Sequence, residues 1–137
     1  MKIDGGCHCG HVTFEADGNP DFVVICHCTD CQKLSAGAYR VIIQSPEGDF
    51  TLLNNPPKDY IKTSNNGTPR LQAFCPECGS HIYATSTDNI GERMFNIRLG
   101  TVNQRDQFNP TDQIWCRSAQ SWAFNIEDLP RHDEQPS

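Results

Sequence analysis

The sequence predicts a mainly β fold with little helix, pinned by cysteine knuckles of the zinc-ribbon kind. Three observations lead there. Turn signals built on Gly, Pro, Asn and Asp recur about every 8–12 residues, the rhythm of all-β domains. The runs between them are short, β-branched or alternating, and helix signals are scarce. Seven of the eight cysteines fall into three tight clusters, Cys7/Cys9, Cys26/Cys28/Cys31 and Cys75/Cys78.

Taken in order, His11-Val12-Thr13-Phe14-Glu15-Ala16 alternates polar and apolar residues and reads as a half-buried strand. Asp17-Gly18-Asn19-Pro20 turns the chain. Phe22–Ile25 is a β-branched run that delivers Cys26 at its end. Asp30–Ser35 is long enough for one helical turn, with Thr29 or Asp30 as its cap. A strand follows over Tyr39–Gln44, and Pro46–Asp49 reads as a hairpin turn into a returning strand at Phe50–Leu53. Asn54-Asn55-Pro56-Pro57 breaks that strand, and extended structure resumes at Tyr60–Thr63. Asn65-Asn66-Gly67 is a strong turn into Arg70–Phe74, which runs into the second knuckle. His81–Thr85, Met94–Leu99 and Gln113–Cys116 complete the predicted strands. No linker divides the chain, so it reads as one zinc domain over residues 1–130 with a polar tail at 131–137.

Cys75-Pro-Glu-Cys78-Gly79 has the form of a zinc knuckle, and Cys7-x-Cys9-Gly10 is a matching half-site. A CxxC pair also marks thioredoxin-like redox sites, but that reading needs a βαβ setting, whereas strands are predicted on both sides here. Four sulfurs from Cys7, Cys9, Cys75 and Cys78 make the closed set of a structural zinc. Cys26-x-Cys28-x-x-Cys31 leaves a tetrahedral ion one ligand short, as in catalytic zinc sites. His8, His81 or Cys116 is available to close it instead, while His27 is poorly placed for this because its neighbours Cys26 and Cys28 already share one side of the strand. A zinc held by three thiolates is a weak Lewis acid for water, yet it accepts a further soft sulfur easily. Such a site suits binding and activation of a thiol.

Acidic side chains outnumber basic ones, 17 to 11, for a formal charge of −6; seven thiolates and two zinc ions would bring it near −9. That field repels phosphate backbones, and without a basic run nucleic acid is not an expected partner. No stretch approaches the roughly 18 apolar residues of a membrane span, and Met1–Pro20 has no apolar secretory core. The cysteines therefore read as metal ligands in a reducing cytoplasm rather than as disulfides. Arg40, Arg70, Arg93 and Arg98 are the cations suited to holding carboxylates in a bidentate grip. Lys33 reads equally as a cation near enough to the three-thiol run to bias its charge or as a solvated surface lysine, and Asp30 is a further acceptor beside it. Lone Cys116 reads as a small buried hydrophobe.

Gly6-Cys7-His8-Cys9-Gly10, the run Cys26-His27-Cys28-Thr29-Asp30-Cys31-Gln32-Lys33-Leu34-Ser35-Ala36-Gly37 and Phe74-Cys75-Pro76-Glu77-Cys78-Gly79-Ser80 stand in this order. With Ile97-Arg98-Leu99-Gly100, Ile114-Trp115, Trp122 and Asp128-Leu129-Pro130, they resemble the glutathione-dependent formaldehyde-activating enzyme family, the CENP-V/GFA domain. The resemblance implies a β-tent of antiparallel sheets and two zinc ions. It places a structural zinc at Cys7, Cys9, Cys75 and Cys78, and a catalytic zinc at Cys26, Cys28 and Cys31. The activity it implies is that of a carbon–sulfur lyase joining glutathione, or a similar small thiol, to a small aldehyde as S-hydroxymethylglutathione. The rival reading is a non-catalytic zinc-ribbon module that binds another protein through two structural zincs.

Overall fold

The computed structural model describes residues 1–136; Ser137, the end of the expected polar tail, lies outside them. Ten strands and one helix follow in chain order: β1 (Lys2–Gly6), β2 (Thr13–Asp17), β3 (Val23–Cys26), α1 (Thr29–Ser35), β4 (Arg40–Pro46), β5 (Thr51–Leu52), β6 (Lys58–Thr63), β7 (Pro69–Phe74), β8 (His81–Ser86), β9 (Met94–Arg98) and β10 (Asp112–Ile114). Several short 3₁₀ turns connect them. The mainly β expectation with zinc-ribbon-like knuckles holds. A small sheet has the order β1-β2-β5 and a large one the order β10-β3-β4-β9-β8-β7-β6. Every pairing in the two sheets is antiparallel except β10 on β3.

The core lies between the sheets. Ile3, Phe14 and Ala16 of the small sheet are buried together with Val23, Ile43, Tyr83, Phe95 and Ile97 of the large one. Fully burying a side chain such as Phe14 or Ile43 contributes about 1.5–3 kcal/mol. Phe50, in the crossover between the sheets, has its ring about 5 Å from three others: 5.2 Å from Phe14, 5.1 Å from Tyr83 and 5.0 Å from Phe95. Offset and edge contacts of this kind add attraction beyond simple burial.

One expectation fails here. Pro46–Asp49 is not a hairpin turn: Glu47–Asp49 forms a 3₁₀ turn, and β5 pairs with β2 in the other sheet. Strand β4 is already flanked by β3 and β9, so no edge remains for a return. Strand β1 was also not foreseen, although it pairs with β2 along its whole length. By contrast, the Asn65-Asn66-Gly67 turn closes the β6–β7 hairpin, with Gly67 at φ +82 where an L side chain would be strained.

Candidate metal centres and the cleft beside them

The β1–β2 connection supplies Cys7 and Cys9, and the β7–β8 connection supplies Cys75 and Cys78. The four sulfurs lie within 4.8 Å of one another. Cys7 Sγ is 3.7 Å from Cys9 Sγ, which is 3.8 Å from Cys75 Sγ. A tetrahedral zinc with sulfurs at about 2.3 Å needs sulfur–sulfur edges of about 3.8 Å. All eight cysteines are free thiols, which removes the disulfide alternative. Backbone N–H groups point at the sulfurs: Val12 donates to Cys7 at 3.2 Å, and Glu77 and Cys78 donate to Cys75 at 3.4 Å. Gly10 and Gly79 close the two half-sites with the same φ of +80, the left-handed turn each knuckle needs. This donor set fits a thiolate-bound zinc and would join the small sheet to the large one.

The second cluster is local. Strand β3 carries Cys26 at its end, Cys28 follows, and Cys31 sits in the first turn of α1; their sulfurs also lie within 4.8 Å. Cys28 is the helix cap, its sulfur accepting the Cys31 N–H at 3.3 Å, so neither Thr29 nor Asp30 has that role. Asp30 is instead ion-paired with Lys62 at 2.8 Å. Among the described residues, no His, Cys, Asp or Glu adds a fourth ligand atom to this group. Three soft donors in one loop fit a zinc with a position left over.

His27 is buried and faces away from any ligand role. Its ring sits between Tyr39 and Phe124, at 5.4 and 5.3 Å, with Nε2 bonded to Gln113 Oε1 at 2.9 Å. The carboxy-terminal segment fixes the whole loop. Strand β10 lies parallel to β3, Ser118 Oγ donates to the His27 carbonyl at 3.1 Å, and Gln32 Nε2 donates to the carbonyls of His27 and Ser118. Cys116 is exposed at the start of a 3₁₀ turn, which corrects the expectation of a buried hydrophobe. Trp115 before it takes a left-handed φ of 57, held by two hydrogen bonds from Ser118 to its carbonyl. Its ring lines a cleft of about 320 Å³ together with Cys28, Thr29, Asp30, Lys62 and the Ser64–Asn66 turn.

The cations also sort themselves. Arg93 is bound by Glu47 through Nε at 2.7 Å and Nη2 at 3.0 Å, a pairing that holds the Glu47 carboxyl at about 2. Lys33 is exposed on α1. Arg40 and Arg98 are buried on the sheet face that carries Cys26, because Cys26 pairs with Arg40 and Ile42 with Arg98. The Cys31 thiol is drawn down to about 5, first by its hydrogen bond with Cys26; burial opposes this, and the charges of Arg40 and Arg98 add to it.

A family model for the glutathione-dependent formaldehyde-activating enzyme (GFA) matches residues 2–118, which include all three clusters. The chain belongs to that family. A crystal structure of a Rhodobacter sphaeroides protein superposes on this GFA chain with a TM-score of 0.59 at 19% identity, covering 80% of this chain and 98% of the other. At that identity the likeness is one of fold. Among the described residues of the GFA chain, no helix is long and apolar enough to cross a membrane.

Proposed function

We propose that this GFA protein is a zinc-dependent carbon–sulfur lyase-type enzyme that forms or cleaves the adduct of a small thiol, such as glutathione, with a small aldehyde. The observation that carries the reading is the three-thiol group beside an open cleft, with no fourth side-chain ligand among the described residues. Cys26, Cys28 and Cys31 would hold a catalytic zinc, and Cys7, Cys9, Cys75 and Cys78 a structural one. A zinc held there would supply a Lewis acid able to take a soft sulfur and keep it deprotonated near neutral pH.

The chain's own residues account for the rest. Trp115, Thr29 and the Ser64–Asn66 turn form the walls against which the thiol's body packs, and the Asp30–Lys62 pair neutralises charge at the mouth. The His27 ring, bonded to Gln113 and enclosed by aromatic rings, orients the loop and is not a proton donor to the cleft. The test is cobalt-substituted protein titrated with glutathione. A sulfur-to-cobalt charge-transfer band that grows with glutathione and is missing in Cys28→Ser is expected, as is turnover above the uncatalysed background. A spectrum that ignores millimolar thiol would overturn the proposal.

A second reading has one observation in its favour. Trp122, Phe124, Ile126 and Leu129 are exposed along the carboxy-terminal segment, a stripe that suits contact with another protein. If both zincs are structural, the chain is an interaction module. The same cobalt titration then gives no response to thiol.

A further inference from the structure

A second cleft of about 460 Å³ lies between the two cysteine clusters. Leu34–Ala36, just past Cys31, form one wall and Gly79-Ser80, just past Cys78, form another; Arg40, His81 and Arg98 line it as well. Arg40 is 6% exposed and Arg98 8%. Arg40 Nε and Nη1, Arg98 Nε and His81 Nδ1 are buried without a hydrogen-bond partner. Arg98 makes one side-chain bond, from Nη2 to Gln72 Oε1 at 2.9 Å. Among the described residues no carboxylate pairs with either guanidinium, and neither donates to a thiol sulfur.

Such an arrangement is costly without an anion. A buried cation stripped of water is stabilised only by opposite charge and by acceptors for its N–H groups. The two guanidiniums also repel each other: Arg98 is lowered to about 9, by burial first and by Arg40 next, and His81 falls to about 4 for the same two reasons, with Arg98 adding to it. The neighbouring thiols offset part of this charge. Three thiolates around one divalent ion carry a net −1, against +2 from Arg40 and Arg98, so +1 is left over. The four-thiol cluster does not absorb it, because Cys9 and Cys78 are exposed to water.

We infer that this cleft is a carboxylate-binding site, in which Arg40 and Arg98 hold a monoanion through the N–H groups that otherwise have no acceptor. A planar carboxylate matches the guanidinium fork and supplies the single negative charge the balance lacks. Placing the site beside the proposed three-thiol centre rests on the thiol–aldehyde reading; the carboxylate binding does not. The carboxylate belongs either to the thiol or to the aldehyde, and the test separates the two.

The experiment follows the arginine Nε–H resonances of metal-loaded protein labelled with ¹⁵N-arginine. The probes are propionate, 2-mercaptoethanol, 3-mercaptopropionate and glyoxylate. Arg40→Gln and Arg98→Gln are compared with the parent for metal content, thermal midpoint and affinity. Propionate is expected to shift the Arg40 and Arg98 signals, and 2-mercaptoethanol to leave them in place. Each variant is expected to bind propionate about tenfold more weakly or worse, as loss of a charged hydrogen-bond partner implies. It should also keep both metals and melt no lower than the parent, since it removes an uncompensated buried charge. A thiol-borne carboxylate makes 3-mercaptopropionate tighter than propionate; an aldehyde-borne one gives glyoxylate that advantage. Either result supports the site. Arginine signals that ignore propionate and glyoxylate alike overturn it. So do variants that shed metal or melt lower while binding carboxylate as before, because the arginines would then serve only the thiolates. A cobalt charge-transfer band that ignores 2-mercaptoethanol and 3-mercaptopropionate, with propionate still shifting the arginine signals, would defeat the thiol reading and leave this site standing. One folded variant suffices, because the parent's arginine signals decide the question without either.

Discussion

Replacing Cys75 by serine separates the two cysteine clusters by their mechanical roles. Cys75 is fully buried at the end of β7, accepts two backbone N–H groups and has its sulfur 3.8 Å from Cys9, 66 residues away in sequence. A cross-link closing a loop of that length removes about 4 kcal/mol of chain entropy from the unfolded state. Serine is a hard ligand that does not replace a thiolate on zinc, so the tie between the two sheets is weakened at its most buried point. Domains of this size have about 5–15 kcal/mol in total. A loss of about 4 kcal/mol corresponds to a fall of roughly 12–20 °C in thermal midpoint. The assay is thermal and urea unfolding of zinc-loaded protein with metal analysis, run beside Cys28→Ser. That second variant alters a cluster contained within six residues, Cys26 to Cys31, where loop closure contributes little. Cys75→Ser is expected to drop by that margin or not fold, and Cys28→Ser to stay within a few degrees while holding about one zinc. Equal midpoints for the parent and both variants would refute the staple.

A mild chelator should remove one zinc equivalent while the far-ultraviolet circular dichroism stays unchanged; loss of both together would refute unequal sites. Gly5→Ala should cost more stability than Gly79→Ala, measured by urea midpoints. A Cβ on Gly5 would sit 2.0 Å from the Thr101 carbonyl oxygen, whereas Gly79 has open space and pays only about 1–2 kcal/mol for its positive φ. The Glu47–Arg93 pair predicts a pH window. The Glu47 carboxyl is lowered from 4.5 to about 2, so its contribution is complete above 4.5 and is lost as pH falls toward 2. The stability gap between the parent and Glu47→Gln should therefore be constant above pH 5 and narrow at pH 4; a gap that widens on acidification would contradict the sign.

Strand positions were legible because alternation reports which face a residue takes. It does not report which strand lies alongside, and for that reason β5 was assigned to the wrong neighbour. Strand β1 was missed because Lys2–Gly6 offers one large apolar side chain, Ile3, and ends in two glycines. The cysteine clusters were readable from spacing alone, since ligand geometry constrains sequence tightly. Arg40 and Arg98 were named as carboxylate-binding cations, but their burial was not foreseen. An arginine alternating with apolar residues looks solvent-facing until α1 and the knuckle loops are seen to cover that face. His27 was likewise judged only by its neighbours, and nothing local reveals that Gln113, 86 residues on, bonds its ring.

The spacing of the two clusters also sets an order of events during synthesis. Cys26, Cys28 and Cys31 leave the ribosome together and can capture a metal ion at once, without any folded structure. Cys7 and Cys9 must wait for Cys75 and Cys78, which follow 66 or more residues later. The parallel strand β10 and Ser118, which fix the His27 loop, emerge later still. On the proposed assignment, an ion acquired first would be the one held by the looser set, and it would enter an unshaped loop that the end of the chain afterwards closes over. A cell short of zinc would fill the local cluster of the nascent chain before the long-range one, so the deficit would appear as slow or failed folding rather than as a folded protein lacking one ion.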